Sequence, residues 1–252
     1  MKSLYIQVFG VASLGLFFLL TASFSNGAGA AEKAAGGDLK KLVSNIHWLG
    51  HDAFRIDGDG VRIYIDPLML RDGLPKADLI LVTHDHGDHN SPGDVAKIMK
   101  ADTVIVTVAK GADKLKGDVR IVKPGDETTV KGVRIKAVPA YNTNKFRSPG
   151  VPFHPQGAGY VGFVVTVKGV TIYHAGDSDF IPEMKGLKPD VALLPVSGIY
   201  VMTAEEAAAA ASAIAPRVAV PMHVGGPVGD LKSVDVFKAK AKVPVIVLPL
   251  EK

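Results

Sequence analysis

The side chains best suited to chemistry are concentrated in one short stretch, residues 83–89, which reads Thr-His-Asp-His-Gly-Asp-His. Three of the chain's eight histidines, His84, His86 and His89, fall within six residues there, and Asp88 lies among them. Imidazole and carboxylate groups together are ligands that zinc, iron and manganese accept. The stretch therefore predicts a metal site rather than a solvated polar turn.

The element that must hold this stretch in place is the segment before it, Asp78-Leu79-Ile80-Leu81-Val82. Because this segment is apolar and rich in branched residues, we predict a buried strand. The histidines then follow the C-terminal end of a strand, where α/β sheets place their ligand crevices. Gly87 permits the tight turn, and Asp85, between the two histidines of a His-x-His pair, should point away from the metal.

Short strand and helix patterns alternate along the rest of the chain and predict an α/β protein. Three strands separated by turns form an antiparallel meander over residues 46–65, and Asp57-Gly58-Asp59-Gly60 is typical of a hairpin turn. Helices are predicted after Ser91 and after Thr203, where Thr-Ala-Glu-Glu is a capping box. A last strand is predicted at Val243–Leu248.

Several motifs together resemble the metallo-β-lactamase fold superfamily of hydrolases. They occur in the order of one branch, which contains small metal-dependent hydrolases and L-ascorbate-6-phosphate lactonase-like proteins. The resemblance covers residues 44–250 and implies an αβ/βα four-layer sandwich with metals between the edges of two sheets. The motifs are His84-x-His86-x-Asp88-His89, Trp48-Leu49-Gly50-His51, Tyr64-Ile65-Asp66-Pro67, Tyr173-His174-Ala175-Gly176-Asp177, Leu193-Leu194-Pro195 and Pro221-Met222-His223.

The resemblance also implies a metal ligand set. Two divalent ions, zinc or alternatively manganese or iron, would share a water and lower its pKa toward about 7. The resulting hydroxide would attack the substrate, and Asp88, as the catalytic residue, would orient it. The implied ligands are His84 and His86 at a first site, Asp88, His89 and His223 at a second, and Asp177 as the carboxylate bridging both.

Three further residues are expected to support the metals or touch the substrate. In the resembling branch Asp66 orients a metal-binding histidine by accepting its free N–H. His174, on a strand, is expected to pack beneath the site rather than bind metal. His51 lies in the first turn of the meander, where it either touches substrate or is an ordinary polar turn residue.

The chain departs from the superfamily pattern at Ala140-Tyr141-Asn142, where other members carry a metal-binding histidine in the third position. Asn142 is a poor zinc ligand compared with imidazole. Either the first site lacks a protein ligand, or His154 in the following loop replaces it. The same loop carries Lys145 and Arg147, which could hold an anionic substrate group or merely be solvated.

The N-terminal 30 residues have the pattern of a secretory signal peptide: Lys2, an apolar stretch, and Ala28-Gly29-Ala30 as a cleavage site. An uncleaved membrane anchor is the alternative. We predict an exported protein, periplasmic or secreted, with a flexible leader at 31–43, a hydrolase domain at 44–252 and no stable membrane span after cleavage. The chain has no cysteine, so disulfides and thiolate ligands are excluded.

Charge and motifs together point to a hydrolase of a small molecule. The formal charge of +4 is mild, and the lysines are scattered, which gives no indication of nucleic-acid binding. We expect cleavage of an ester, lactone or phosphoester, with an anionic substrate compatible. The alternatives are a phosphodiesterase or phospholipase D-like enzyme, and a non-catalytic metal-binding protein whose first site is degenerate. The branch argues against β-lactam hydrolysis.

Overall fold

The computed structural model describes residues 38–251. The predicted signal peptide and residues 31–37 of the leader lie outside this range. Residues 38–43 form a helix, α1, so the prediction of a flexible leader is wrong for this segment. Leu39, Leu42 and Val43 are spaced to share one face of a helix, and they pack against the core. None of the helices within residues 38–251 combines the length and apolar character needed to cross a bilayer.

The first half of the described chain forms a six-stranded sheet. Its strands, in both chain and spatial order, are β1 (Ile46–Gly50), β2 (Ala53–Gly58), β3 (Val61–Ile65), β4 (Leu79–Val82), β5 (Val104–Thr107) and β6 (Asp118–Ile121). The first three strands are the predicted antiparallel meander, and β3 to β6 are parallel. The predicted buried strand before the histidines is β4, all four residues of which are buried.

The second half forms another six-stranded sheet and a small ribbon. The strands are β7 (Glu127–Val130), β8 (Val133–Pro139), β9 (Phe146–Ser148), β10 (Val151–Pro152), β11 (Val161–Val167), β12 (Val170–His174), β13 (Val191–Pro195) and β14 (Val218–Met222). The order in the sheet is β14-β13-β12-β11-β8-β7. Strands β12 to β14 are parallel, while β9 and β10 pair separately.

Helices cover the outer faces of the two sheets. They are α2 (Pro92–Ile98), α3 (Ala109–Ala112), α4 (Ala204–Ile214) and α5 (Lys232–Lys240). The caps are those predicted: Ser91 accepts from the amide of Asp94 at α2, and Thr203 and Glu206 form the capping box of α4. The predicted αβ/βα four-layer sandwich is confirmed.

Alternation along the strands explains how both faces of the first sheet are buried. Ile80 and Tyr64 pack with Ile98 of α2, while Leu81 belongs to the cluster that contains Phe163 of the second sheet. Successive side chains of a strand point to opposite faces. The apolar runs of β3 and β4 therefore reflect a sheet that lies between a helix layer and a second sheet.

The predicted last strand at Val243–Leu248 is wrong. Within this segment the structure has one isolated bridge, Val245 with Ala219, and a second, Leu250 with Trp48, lies just beyond it, so there is no continuous strand. Pro244 and Pro249 lack the N–H groups that a ladder requires.

Gly162 brings β11 close to the chain that follows β12. A Cβ at this position would lie 2.5 Å from the carbonyl oxygen of His174 and 2.7 Å from that of Ala175. We expect Gly162→Ala to lower the free energy of unfolding by about 1–3 kcal/mol, measured by urea denaturation. Gly93→Ala is the matched control, since a Cβ there meets nothing within 4 Å. Equal losses in both variants would contradict the close-approach argument.

Candidate metal centre

The loop after β4 directs its histidines to two different places. His84 and His89 are buried, with 1% and 0% exposure. The loop closes in a tight turn, in which the His89 amide donates to the carbonyl oxygen of His86 at 3.1 Å. His86 joins His84 in one group of candidate ligands, while Asp88 and His89 join another. Asp85 belongs to neither group, in line with the expectation that it points away.

The first donor group contains His84, His86 and His154. Nδ1 of His86 lies 3.2 Å from Nε2 of His154. Ligand atoms that each lie about 2.0–2.2 Å from one ion can be at most about 4.4 Å apart. This separation therefore allows both imidazoles to bind the same ion. The loop brings His154 within reach of the first donor group, as one of the two alternatives requires. That His154 binds metal there stays a prediction.

Asn142 supports His154 rather than standing in for it. Its Oδ1 accepts from the backbone amide of His154 at 2.8 Å and faces Nδ1 of the same residue at 2.9 Å. Because Oδ1 is an acceptor, the ring proton of His154 must be on Nδ1, which leaves the Nε2 lone pair free for a metal. The Asn142 amide nitrogen in turn donates to the carbonyl oxygen of Tyr200 at 2.8 Å.

We expect Asn142→Ala to weaken the binding of one metal ion by about 10–100-fold, because a ligating histidine that loses its hydrogen-bond partner loses its fixed orientation. Competition with a chromophoric chelator measures this affinity. Asn142→Asp is the control, since it keeps an oxygen acceptor facing Nδ1 and should stay near the wild-type affinity. An alanine variant with unchanged affinity would show that His154 needs no such partner.

The second donor group lies at the ends of β4, β12 and β14. It contains His51, Asp88, His89 and His223, and Asp177 lies against them. Nε2 of His89 is 3.3 Å from Oδ1 of Asp177 and 3.8 Å from Oδ2 of Asp88. Nε2 of His223 is 3.5 Å from the same Asp177 oxygen. These separations also fit a single shared ion.

Asp177 lies between the two groups. Its Oδ1 faces His89 and His223, and its Oδ2 lies 3.2 Å from Nε2 of His154. Gly176 sets this position, because its φ is +61° and a Cβ there would lie 2.9 Å from the carbonyl oxygen of Val161. The geometry matches that of a carboxylate with one oxygen directed at each of two sites.

The donor atoms fit metal ions in a further respect. Nε2 of His84, His89 and His223 and Oδ1 of Asp177 are buried, and among the described residues they have no hydrogen-bond partner. Buried polar atoms are rarely left unpaired, because the loss of hydration is costly. Four unpaired lone-pair donors that converge on one region are therefore explained by bound cations.

Hydrogen bonds behind the site fix the histidine rings. Oδ2 of Asp66 lies 2.8 Å from Nδ1 of His89, which is the role expected of this aspartate. The Thr83 hydroxyl donates to Asp66 at 2.6 Å and lies 2.9 Å from Nδ1 of His84. Asp66 thus orients His89 directly and His84 through the Thr83 hydroxyl, and Nε2 of each ring is left free. Sequence reasoning missed Thr83, whose only indication was its place at the end of β4.

Ser197 and His174 also make hydrogen bonds that fix the position of site residues. The Ser197 hydroxyl lies 2.8 Å from Nδ1 of His223, a contact that sequence reasoning also missed. His174 is fully buried. Its Nε2 donates to the carbonyl oxygen of Asp52 at 2.9 Å, and its Nδ1 accepts from the amide of Gly176 at 3.1 Å. With both nitrogens occupied, His174 packs beneath the site, as expected, and holds the turn that carries Asp177.

The pKa shifts of the candidate ligands differ between the two donor groups. Burial lowers the pKa of His84 well below its usual value, so its lone pair is available at neutral pH. Burial alone would also lower the pKa of His89, but the Asp177 and Asp66 carboxylates raise it well above the usual value. Burial would raise the pKa of Asp88, yet the nearby His51 imidazole, 3.5 Å away, and the charge of His89 lower it to about 2.

A cavity of about 260 Å³ opens onto the site. It is lined by residues of both donor groups and by the rings of Phe153 and Tyr200, whose centroids are 4.5 Å apart. Residues lining the cavity are His86, Asp88, Phe153, His154, Asp177 and Tyr200. A small substrate in this cavity would lie between the two aromatic rings and the candidate ligands.

The two basic residues of the 140–159 loop, Lys145 and Arg147, already contact other side chains of the protein. Nζ of Lys145 lies 2.7 Å from Glu206 and 3.5 Å from Asp179, and its side chain is only 15% exposed. The guanidinium of Arg147 stacks 5.6 Å from the centroid of Phe153. Lys145 therefore anchors the loop to α4, and Arg147 packs on the outer side of the cavity wall.

Comparison with known proteins identifies the class of this fold and site. The profile of the β-lactamase superfamily domain matches residues 45–223. The chain belongs to the metallo-β-lactamase superfamily, as its motifs predicted. A UPF0173 metal-dependent hydrolase of Methanopyrus kandleri is 37% identical over an alignment of 198 residues. The match covers 71% of this chain and 84% of that protein. A UPF0173 relative of Methanoculleus marisnigri is 38% identical over 183 residues, covering 71% and 80%.

Solved structures agree with this assignment. A candidate metal-dependent hydrolase from Parabacteroides distasonis is 36% identical, with a TM-score of 0.71, and covers 82% of this chain and 93% of its own. A metallo hydrolase from Ignicoccus hospitalis, 24% identical with a TM-score of 0.64 over 82% of this chain and 95% of its own, shares the fold. The predicted class, a metal-dependent hydrolase of this superfamily, is confirmed. The likeness to L-ascorbate-6-phosphate lactonase-like proteins stays a prediction.

Proposed function

We propose that the protein is a binuclear hydrolase that cleaves an ester, lactone or phosphoester bond in a small molecule. The observation that carries this proposal is Asp177, whose two oxygens face different groups of histidines. In two-metal hydrolytic sites the ions lie about 3.5–4 Å apart, a spacing that one carboxylate can bridge.

Charge balance supports two ions rather than one. Asp52, Asp66 and Asp177 are almost completely buried around the donor groups, and Asp88 is partly buried beside them. Buried carboxylates are costly unless they are paired with positive charge. Burial raises the pKa of Asp52, so it is left out of the count. One divalent cation could not balance even the other three carboxylates, those of Asp66, Asp88 and Asp177, whereas two cations could.

Different residues of the chain would have different roles in hydrolysis. Bound ions would supply an activated water and polarise the oxygen that gains charge during hydrolysis. Asp88 lines the cavity, and its low pKa keeps it ionised, so it can accept a hydrogen bond from the attacking water and orient it. Phe153 and Tyr200 enclose the substrate and limit access of bulk water.

We further propose zinc at the first donor group, with manganese or iron as alternatives for the centre. Three imidazoles and one carboxylate oxygen would supply four nitrogen and oxygen donors, a number and type that zinc accepts. Export to the periplasm or medium is also proposed. It is supported by the signal-peptide pattern of residues 1–30, which lie outside the described part of the chain.

Two structural observations weigh against the alternative functions. Lys145, which a phosphodiesterase could use to hold a phosphate, is paired with Glu206 and Asp179. The degenerate first site of a non-catalytic protein is disfavoured, because His154 lies where the site needs a third imidazole.

The test combines metal analysis with a substrate screen. Purified protein should contain two ions per chain by plasma mass spectrometry, and it should hydrolyse at least one of a panel of lactones, carboxyl esters and phosphodiesters. Chelator-treated protein, and the same sample after metal is restored, are the controls. Two ions without hydrolysis of any class, or hydrolysis that survives complete metal removal, would contradict the proposal.

A further inference from the structure

We propose that His51 is a direct ligand of the second metal site. The inference rests on the binuclear function proposed above and specifies the coordination of one of its two ions. With His51 the second site would have five protein donors, which suits a five- or six-coordinate divalent ion rather than tetrahedral zinc. The five donors are His51, Asp88, His89, Asp177 and His223.

The first argument is the environment of the His51 ring. Its exposure is 1%. Neither Nδ1 nor Nε2 has a hydrogen-bond partner within residues 38–251. A buried imidazole without partners loses its hydration and gains nothing in return. Nε2 of His51 lies 3.5 Å from Oδ2 of Asp88, and its ligand atom lies within 4.8 Å of those of Asp88, His89 and His223.

The second argument is how firmly the backbone holds His51 against His223. The His51 amide donates to the carbonyl oxygen of Val224 at 3.0 Å, and the His223 amide donates to the carbonyl oxygen of His51 at 3.3 Å. The Trp48 indole N–H donates to that same oxygen at 3.0 Å. The backbones of His51 and His223 are both left-handed, with φ of 50° and 60°. Such strain persists where the surroundings fix it, commonly at functional sites.

The third argument concerns whether His51 would contact a metal ion or the substrate. Among the described residues that line the cavity, Asp88 and Asp177 belong to the second group, while His51, His89 and His223 do not line it. His51 is almost fully buried, whereas the side chain of its neighbour Asp88 is 29% exposed and lines the cavity. A substrate in the cavity therefore meets Asp88 more readily than His51, while an ion held by His89 and His223 lies within reach of the His51 ring.

The donor count then distinguishes the two sites. The first site has three imidazoles and one oxygen of Asp177, a number typical of zinc. The second would have three imidazoles and two carboxylates, and a bound water would make six. Ions that accept mixed imidazole and carboxylate ligands at high coordination number, such as iron and manganese, suit this set.

Cobalt(II) is the probe, because its visible absorption strengthens as its coordination number falls. The test uses the purified full chain, stripped of metal and titrated with cobalt in the presence of a competing chelator. In His51→Asn the backbone is preserved, since asparagine tolerates a positive φ, but the side chain is too short to reach the ion. We expect the affinity for one of two cobalt ions to fall by at least about 100-fold and the absorption per ion to rise.

His47→Asn is the matched control. His47 lies on β1, pairs with Glu251 at 2.8 Å and is 32% exposed, so its replacement should leave both affinities and the spectrum unchanged. Gly226→Ala is a second variant that keeps the imidazole. A Cβ at Gly226 would lie 2.7 Å from Cβ of His51 and 3.1 Å from its Cγ. We expect this displacement of the His51 ring to weaken the binding of the same cobalt ion.

Wild-type affinity and an unchanged spectrum in both His51→Asn and Gly226→Ala would overturn the proposal. The outcome is independent of catalysis. If wild-type protein hydrolyses no ester but His51→Asn still shows the loss of affinity and the spectral change, the hydrolase function fails while His51 stands as a ligand.

Discussion

Replacing His154 with alanine is expected to lower the metal content from two ions per chain to one and to reduce hydrolysis by at least about 100-fold. His154 is the third imidazole of the first donor group, 3.2 Å from both His86 and Asp177. Residues that only support a metal ligand typically contribute 10–100-fold to metal affinity or activity, so a direct ligand should contribute more. Plasma mass spectrometry on gel-filtered protein gives the ion count, and initial rates on a responsive ester give the activity.

His47→Ala is the control for this experiment, because it removes an imidazole from the same chain at a distance from the donor groups. Its ion count and rate should equal those of the wild type. If wild-type protein and His154→Ala both hold one ion, the first donor group is not a metal site, and a mononuclear function must replace the binuclear one. Two ions and full activity in His154→Ala would also reject the assignment of His154 as a ligand.

Asp88→Asn is expected to reduce kcat by about 10²–10⁴-fold while changing KM little. The amide keeps an oxygen that can face the second site but loses the charge with which the carboxylate orients a water. Asp88 reaches the cavity with 29% of its side chain exposed, so it can contact the attacking water. Steady-state kinetics at saturating metal separate the two parameters, and the ion count of the variant shows whether metal is retained.

Asp85→Asn is the matched control, as it makes the same change in the same loop at a residue outside both donor groups. It should keep wild-type turnover. A normal kcat in Asp88→Asn would show that Asp88 takes no part in the reaction and acts at most as a metal ligand. Asp88→Ala, which loses both the charge and the oxygen, should be at least as impaired in turnover.

Much of the fold was predictable because local patterns agreed with the final packing. The run Leu79–Val82 is too apolar to be anything but buried, and the capping residues Ser91 and Thr203 mark helix starts through chemistry that acts within three or four residues. The errors occurred where distant contacts decide. Helix 38–43 forms against the core rather than alone, and the prolines at 244 and 249 leave isolated bridges where the apolar pattern predicted a strand.

The candidate site was predictable to the extent that its residues follow strands. His89, Asp177 and His223 come directly after apolar segments that end at one edge of the fold. By contrast, Ser197 could not be found, because a hydroxyl that faces a histidine of another strand has no sequence pattern. The sequence presents Asn142 as a missing ligand and His154 as its possible replacement, but the hydrogen bonds by which Asn142 orients His154 become apparent only when the loop is folded.

Phe153 and His154 are consecutive residues, so a shift of the backbone at this part of the cavity wall would also shift a candidate metal ligand. Any small molecule that packs on Phe153 and favours the metal-bound position of this segment must raise affinity for the ion. By thermodynamic reciprocity, the ion must raise affinity for that molecule by the same factor. Metal retention during dialysis, followed with a library of compounds, would then report binders without any knowledge of the reaction. Changes at Phe153 that broaden substrate choice would in turn alter how tightly the first ion is held.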